Sequence, residues 1–296
     1  MRLGENVGVV HSGTPEAEAF ARRLSEHLLV QQSGWMCHAS DDEGLESCMS
    51  QTTVVISVGG DGTILRAARA AAPYKVPVLG INLGRLGFMT ELGSDEALDR
   101  VGGYLEGGAG WVEERAMLQA VMISAGNKTD VKQNVFHALN DVVIGRGNLP
   151  RLVHIEASLN GVPLTTYYSD ALIVATATGS TGYALAAGGP ILHAASQDMV
   201  VIPVAPHVSL GSGLVLSGDT IITLSVKTDT PALVSVDGLE DLPIRPGDVV
   251  EVQRSPFTAR FLRARDPKHF YGTLIQRLGL IPGAGAFQSP NEREEG

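Results

Sequence analysis

The chain is 296 residues long, enough for one large domain or two ordinary ones, with a core that needs no disulfide or metal staple. Hydrophobic residues make up 44% and charged residues 18%, which excludes whole-chain disorder, and 5% aromatics beside 35 glycines imply an aliphatic core. The net charge of −10, with no cluster of Lys and Arg, argues against a nucleic-acid partner. Cys37 and Cys48 form no CxxC pair and fit a reducing compartment. Residues 1–6 lead straight into an apolar run, without the pattern of a signal peptide. The uncharged stretch 171–197 holds too many Thr, Ser and Gly residues, and Pro190, for a lipid-facing helix. A cytoplasmic protein without a membrane partner is expected.

Val7-Gly8-Val9-Val10 reads as a buried strand, and Thr14 caps a helix with Pro15 at its first position. Ala17, Phe20, Ala21, Leu24 and Leu28 recur at helical spacing on one face. Residues 54–58 predict a second buried strand, 63–72 a helix and 77–82 a third strand, and Ser94 is placed as the cap of a further helix. This alternation predicts a parallel α/β sheet over residues 1–110, closed by the glycines at 102–110. Helical periodicity then fades. Short apolar runs at 118–123, 142–144, 152–155, 221–224 and 249–252, with turn signals at Asn160-Gly161 and Pro246-Gly247-Asp248, predict a mainly-β domain over 111–264. A C-terminal helix within 265–282 is expected to pack back on the first domain, and the composition of 283–296 predicts a disordered tail.

Gly59-Gly60-Asp61-Gly62-Thr63 follows a strand and opens a helix, where glycines let main chain approach a ligand and the helix N-terminus favours a phosphate. Leu65 occupies the third glycine position of the dinucleotide fingerprint, and no P-loop occurs. A carboxylate inside a phosphate loop needs a metal or a reacting proton beside it, so Asp61 is a candidate general base or magnesium organiser; the competing reading is a helix cap. Asn140-Asp141 offers a donor and an acceptor suited to ribose hydroxyls or an amide, or else a simple turn. The segment from Asp170 through Thr178-Gly179-Ser180-Thr181-Gly182-Tyr183 runs from a strand into a loop of short hydroxyls and glycines. It suits a nucleotide, with Tyr183 as a stacking platform or a core residue. His207 is read as a structural histidine. No HExxH, GxSxG or Cys/His ligand spacing is present, so no metal-ligand set is assigned.

In order along the chain, these motifs resemble the NAD kinase family. GGDGT is followed by the segment 80–88, Gly-Ile-Asn-Leu-Gly-Arg-Leu-Gly-Phe, similar to the family's GINxGxLGF and ending in Phe88. Leu139-Asn140-Asp141 is similar to LN[ED], and residues 178–183 to TGSTAY. Gly188-Gly189-Pro190-Ile191, Pro206-His207, Val236-Asp237-Gly238 and the segments 270–274 and 277–279 also fall in order. The resemblance implies an α/β N-terminal domain with a Rossmann-like parallel sheet, an all-β C-terminal domain and a site between them. It also implies NAD and ATP or polyphosphate as substrates, Mg2+ or another divalent metal with ATP, and a homodimer or homotetramer. Carried over by motif, Asp61 is catalytic, and Gly59, Gly60, Gly62 and Thr63 form the phosphate loop. Asp61, Gly62, Phe88, Asn140, Asp141, Asp170, Thr181, Gly182, Tyr183 and Ala186 contact NAD, with Arg66, Arg151, Ala205 and Glu240 transferred on position alone. The chain departs from the family at Ala171 (Gly there), Ala177 (Pro), Gly182 (Ala) and Ala186 (Ser), and around Ser212-Gly213. Two alternatives share these features: a non-catalytic NAD(H) sensor and a lipid kinase built on the same GGDGT core.

Overall fold

The computed structural model describes residues 5–29, 33–84, 87–106, 110–125, 134–147, 152–207, 210–227 and 232–266, with Phe270, Gly272, Leu274 and Ile275 beyond them. The tail 283–296 and most of the expected C-terminal helix lie outside these residues; Phe270, whose ring meets His193 at 4.8 Å, is helical.

The first part alternates as the sequence predicts. It runs β1 (Asn6–His11), α1 (Pro15–Leu29), β2 (Ser33–His38), α2 (Asp42–Met49), β3 (Val54–Val58), α3 (Asp61–Ala71), β4 (Pro77–Asn82), β5 (Leu92–Gly93) and α4 (Ser94–Leu105). These strands are parallel, in the order β4-β3-β1-β2. Thr14 accepts the N–H of Ala17 at its hydroxyl (3.3 Å), as an N-cap does. Two boundaries differ from expectation. Ser94 is the first helical residue and Gly93 the cap, with Glu96 reaching back to the Gly93 N–H (3.4 Å). Helix α3 begins at Asp61, two residues early, because Gly60 takes the cap position. Helices α1 and α4 bury Leu24, Val101 and Leu105 on one face of the sheet, and α2 and α3 bury Leu45, Ile64 and Ala68 on the other.

The second part runs β6 (Trp111–Ile123), β7 (Asn134–Ala138), β8 (Asp141–Arg146), β9 (Val153–Leu159), β10 (Val162–Ser169), β11 (Ala171–Ala175), the short α5 (Tyr183–Ala186), β12 (Met199–Val204), β13 (Leu214–Leu216), β14 (Ile222–Val226), β15 (Ala232–Val236), β16 (Glu240–Ile244) and β17 (Val249–Arg263). Asn160 and Gly161 take φ of 51° and 79°, the turn that matches strand twist between β9 and β10. The strands do not form a separate sheet at residue 111. Strand β17 pairs with β14 and β6, then runs parallel to β4 with Arg260 opposite Pro77 and Phe261 opposite Val78. One sheet therefore passes through both halves in the order β10-β9-β14-β17-β4-β3-β1-β2, and a second, β13-β12-β11-β8-β15-β16, packs on its far part. Leu172, Val174, Val234, Tyr167 and Leu224 fill the space between the two sheets.

Where the halves meet, a charged cluster is buried. Glu113 takes Arg263 at 2.8 Å and Arg115 at 3.0 Å, and both guanidinium groups stand 5.2 Å from the Phe261 ring. Arg263 Nη1 donates to the carbonyls of Met89 (3.0 Å) and Thr90 (3.3 Å), and Arg115 Nη2 donates to that of Phe88 (3.3 Å). Burial pushes the Glu113 carboxyl up, but Arg115 and Arg263 outweigh it and hold the group below the usual carboxylate range. Removing one partner of a buried ion pair leaves uncompensated charge. Glu113→Ala is expected to lower unfolding free energy by roughly 3–5 kcal/mol, measured by urea denaturation at neutral pH. A loss below about 1 kcal/mol would mean that the cluster is no stronger than a surface pair.

Candidate functional site

The turn after β3 is built by glycine. Gly59 sits at φ 151° and donates its N–H to Ile81 O (2.9 Å); a Cβ there would strike the Thr63 hydroxyl at 2.6 Å. Thr63 and Ile64 donate to Gly60 O, at 3.0 and 3.3 Å, which closes the first turn of α3. Asp61 is thus the first helical residue, and the capping reading fails. No atom lies within 4 Å of where a Cβ would stand on Gly60 or Gly62, so the main chain there is open to a ligand. On the other flank Gly87 backs the Asp61 carboxylate so closely that a Cβ would collide with it. Gly87 is itself fixed by its N–H to the Thr90 hydroxyl (2.5 Å), within the loop that Arg115 and Arg263 hold from beneath. Phe88, half-buried in this loop, is among the expected site residues.

Asn140 and Asp141 stand where β8 begins, gripped from both sides. The carboxylate of Asp237 accepts three consecutive main-chain N–H groups: Leu139 (2.8 Å), Asn140 (2.7 Å) and Asp141 (3.0 Å). The carbonyls face Thr176, whose hydroxyl donates to Leu139 O (2.6 Å) and whose N–H donates to Asn140 O (2.9 Å). Gly179 lies so close over Asn140 O that any side chain would collide. Three motifs distant in sequence thus meet at one turn. Asp237 and Gly238 take φ of 55° and 65°, the hairpin turn that an Asp-Gly pair favours. The Val-Asp-Gly motif signalled the turn; that its carboxylate would serve residues 139–141 was not readable from it.

The Thr/Ser/Gly loop is used differently from expectation. The hydroxyls of Thr176, Ser180 and Thr181 donate to the carbonyls of Leu139, Ala177 and Thr178, so they brace the loop and are not presented outward. Gly182, Tyr183 and Ala186 face outward, with Tyr183 46% exposed, which rules out the core reading. Gly182 has φ −103°, and a Cβ there would meet Gly179 O at an ordinary 3.4 Å, so alanine fits the space.

Other expected residues stand apart. Asp170 precedes β11, and Ala205, at φ 46°, follows β12; Ala171 pairs with Val204, and Asp170 pairs with Arg146 at 3.3 Å. Ala175, at the other end of β11, lies opposite Asp141. The Asp170 cluster is therefore about 17 Å from the Asn140 turn, at the opposite end of these paired strands. Arg66 points about 140° around α3 from Asp61 and pairs with Asp42 at 3.6 Å. With Arg69, His137 and Glu240 it lines a separate groove of about 470 Å³. Arg151 lies outside the described residues. His207, read as structural, has an exposed side chain and donates its main-chain N–H to Tyr168 O (2.7 Å).

Burial, with the Asp237 charge adding to it, pushes the Asp141 carboxyl up to about 7. Burial pushes Asp237 up as well, against the three amides and Arg69. Since both Asp237 oxygens already accept N–H bonds, Asp237 holds the charge of the pair and Asp141 takes the proton. A carboxyl raised in the fold favours folding below its unfolded value and loses that contribution as pH rises through its folded value. Asp141→Asn should therefore gain stability over the parent by a margin that grows between about pH 4 and pH 7 and then stays level. Melting temperatures of the pair across pH 4 to 8 check this; a margin independent of pH would refute the raised carboxyl.

The ATP-NAD kinase N-terminal domain family matches residues 13–108, and the ATP-NAD kinase C-terminal domain family matches residues 139–264. The chain is 44% identical over 276 residues to an NAD kinase of Chloroflexus aurantiacus, covering 93% of this chain and 98% of that one. It is 37% identical over 276 residues to an NAD kinase of Dehalococcoides mccartyi, covering 93% and 96%. Its fold matches yeast NADH kinase complexed with NADH at a TM-score of 0.81 and 21% identity, covering 96% of this chain and 90% of that one. It also matches an NAD kinase from Archaeoglobus fulgidus in complex with ATP at a TM-score of 0.73 and 25% identity, covering 94% and 100%.

Proposed function

The chain belongs to the ATP-NAD kinase family, and on that premise we propose that it transfers the terminal phosphoryl group of ATP, or of polyphosphate, to the adenosine ribose 2′-hydroxyl of NAD, forming NADP. The match over both halves of the chain, beyond the GGDGT segment alone, separates it from lipid kinases. The observation that carries the reading is the placing of Asp61: first residue of α3, walled by Gly87 on one side and open over Gly60 and Gly62 on the other. In the proposed step the ribose O2′ attacks the terminal phosphorus in line, the bond to the bridging oxygen breaks, and ADP or shortened polyphosphate leaves. Asp61 takes the hydroxyl proton as the new bond forms. The main-chain N–H groups at the start of α3 face the phosphoryl charge. Asn140 and Asp141 hold the NAD, with Thr181, Gly182, Tyr183 and Ala186 along its path.

Among the described residues no three His, Cys, Asp or Glu side chains stand together as a metal cage. Magnesium binds through one or two carboxylates with phosphate oxygens and water, so Asp61 beside the donor phosphates fits it. When bound, the metal neutralises phosphate charge. We place the protein in the cytoplasm; no described helix is long and apolar enough to cross a membrane. Asp61→Asn should reduce NADP formation at least about a hundredfold with an unchanged melting temperature. Near-normal turnover would remove Asp61 from the chemistry, and NAD binding by the parent without NADP formation would favour the sensor alternative.

The separation of Asp170 and Ala205 from Asn140 supports a homodimer or homotetramer in which one copy's Asp170 end completes its neighbour's site. Mixing equal amounts of Asp61→Asn and Asp170→Ala chains, after exchange of subunits, is then expected to restore about a quarter of the parent's activity in the mixture, since about half of the dimers are mixed and each has one intact site of two. Activity that stays at the sum of the two variants would place each site within one chain.

A further inference from the structure

Two features of the Asn140 turn are not used by the chemistry above: the buried carboxylate of Asp237 and the arginine beside it. Asp237 is 9% exposed, and it spends both oxygens on the N–H groups of residues 139–141. Arg69 Nε stands 3.8 Å from Asp237 Oδ2, and Arg69 Nη2 stands 2.5 Å from Glu240 Oε1. Arg69 lies on α3, eight residues and about 12 Å along the axis from Asp61. The helix that presents Asp61 is therefore tied, through one guanidinium, to the carboxylate that shapes the turn. The return bond, Asp237 N–H to Asp141 O at 2.9 Å, locks the two segments together.

We propose that Asp237 is a positioning residue for the NAD-binding turn, setting Asn140 and Asp141 through three main-chain N–H bonds, and that Arg69 ties this turn to the helix carrying Asp61. The proposal rests on the reading that Asn140 and Asp141 hold NAD. A purely scaffolding carboxylate would need only to be satisfied. This one lies near a second buried carboxyl, that of Asp141, so its charge sets how readily Asp141 gives up its proton. The charged group facing Asp141 is Asp237 itself, with Arg69 from α3 behind it offsetting that charge and Glu240 from β16 sharing the guanidinium. Ionised, Asp141 is the stronger acceptor for a ribose hydroxyl.

The test is steady-state NADP formation by the full chain, with NAD and ATP varied separately from pH 5.5 to 8.5. In the parent, KM for NAD is expected to fall as pH rises through about 7, the value to which Asp141 is pushed. In Asp237→Asn one acceptor becomes a donor and the charge is gone. KM for NAD should rise roughly ten- to hundredfold, KM for ATP should stay within about threefold, and the inflection in the NAD profile should move to lower pH. A structural defect alone would lower the melting temperature and leave the inflection of the folded fraction in place. Arg69→Met keeps the carboxylate and its three amide partners, and stands in if Asp237→Asn does not fold; a severalfold rise in KM for NAD with KM for ATP unchanged is expected. A folded variant of either kind with the parent's KM for NAD overturns the proposal, as does an unmoved inflection in folded Asp237→Asn. If the parent itself forms no NADP, the functional reading fails instead, and the two failures are distinguishable.

Discussion

A carboxylate taken out of water must be surrounded by donors, and the way Asp237 meets that demand organises the site. It draws three consecutive amides onto itself, which forces residues 139–141 to turn with their N–H groups on one side. Their carbonyls must then find partners on the other side, and Thr176 supplies them. That fixes the start of the Thr/Ser/Gly loop, which the hydroxyls of Ser180 and Thr181 brace further on. The satisfaction of one buried charge thus propagates through hydrogen bonds into a defined shape some forty residues away in sequence.

A second buried electrostatic element works on the opposite flank. Arg115 and Arg263 are balanced by Glu113 and Glu91 beneath the loop of residues 87–91, and each arginine also donates to carbonyls of that loop. The loop in turn presses Gly87 against Asp61. Asp61 is therefore located by a helix start on one side and by a loop set from the core on the other. Neither support involves the open face over Gly60 and Gly62, which remains free for substrates.

Much of this was legible in the sequence because it is local. The glycines of the β3–α3 turn, the Asn160-Gly161 hairpin and the apolar face of α1 each encode their own geometry within a few residues. What was not legible is pairing over distance. Strand β17 meets β4 across more than 170 residues, and nothing in either segment specifies that register. Motif order likewise does not reveal that the five residues of β11 separate Asp170 from Asn140, at opposite ends of two paired strands. Arg66 and Glu240 were transferred on position, and helical rotation turns the first away from Asp61. The hydroxyls of residues 176–181 were legible as chemistry but not as direction. Strand β2 and helix α2 are half-exposed and weakly patterned, with Leu45 and Met49 the buried pair in α2, and are not among the predicted elements.

The continuity of the large sheet bears on how the molecule moves. A protein of two domains joined by a linker can open like a jaw around its substrate. Here β17 contributes Val249, Val250, Glu251 and Val252 to a ladder in the second half and Arg260 and Phe261 to one in the first. A crease between the halves would have to shear hydrogen bonds in mid-sheet and pull Phe261 away from two buried guanidinium groups. Wide opening at that line is correspondingly expensive. Substrates must therefore enter a frame of nearly constant width, and adaptation to them falls to turns and side chains along the rim.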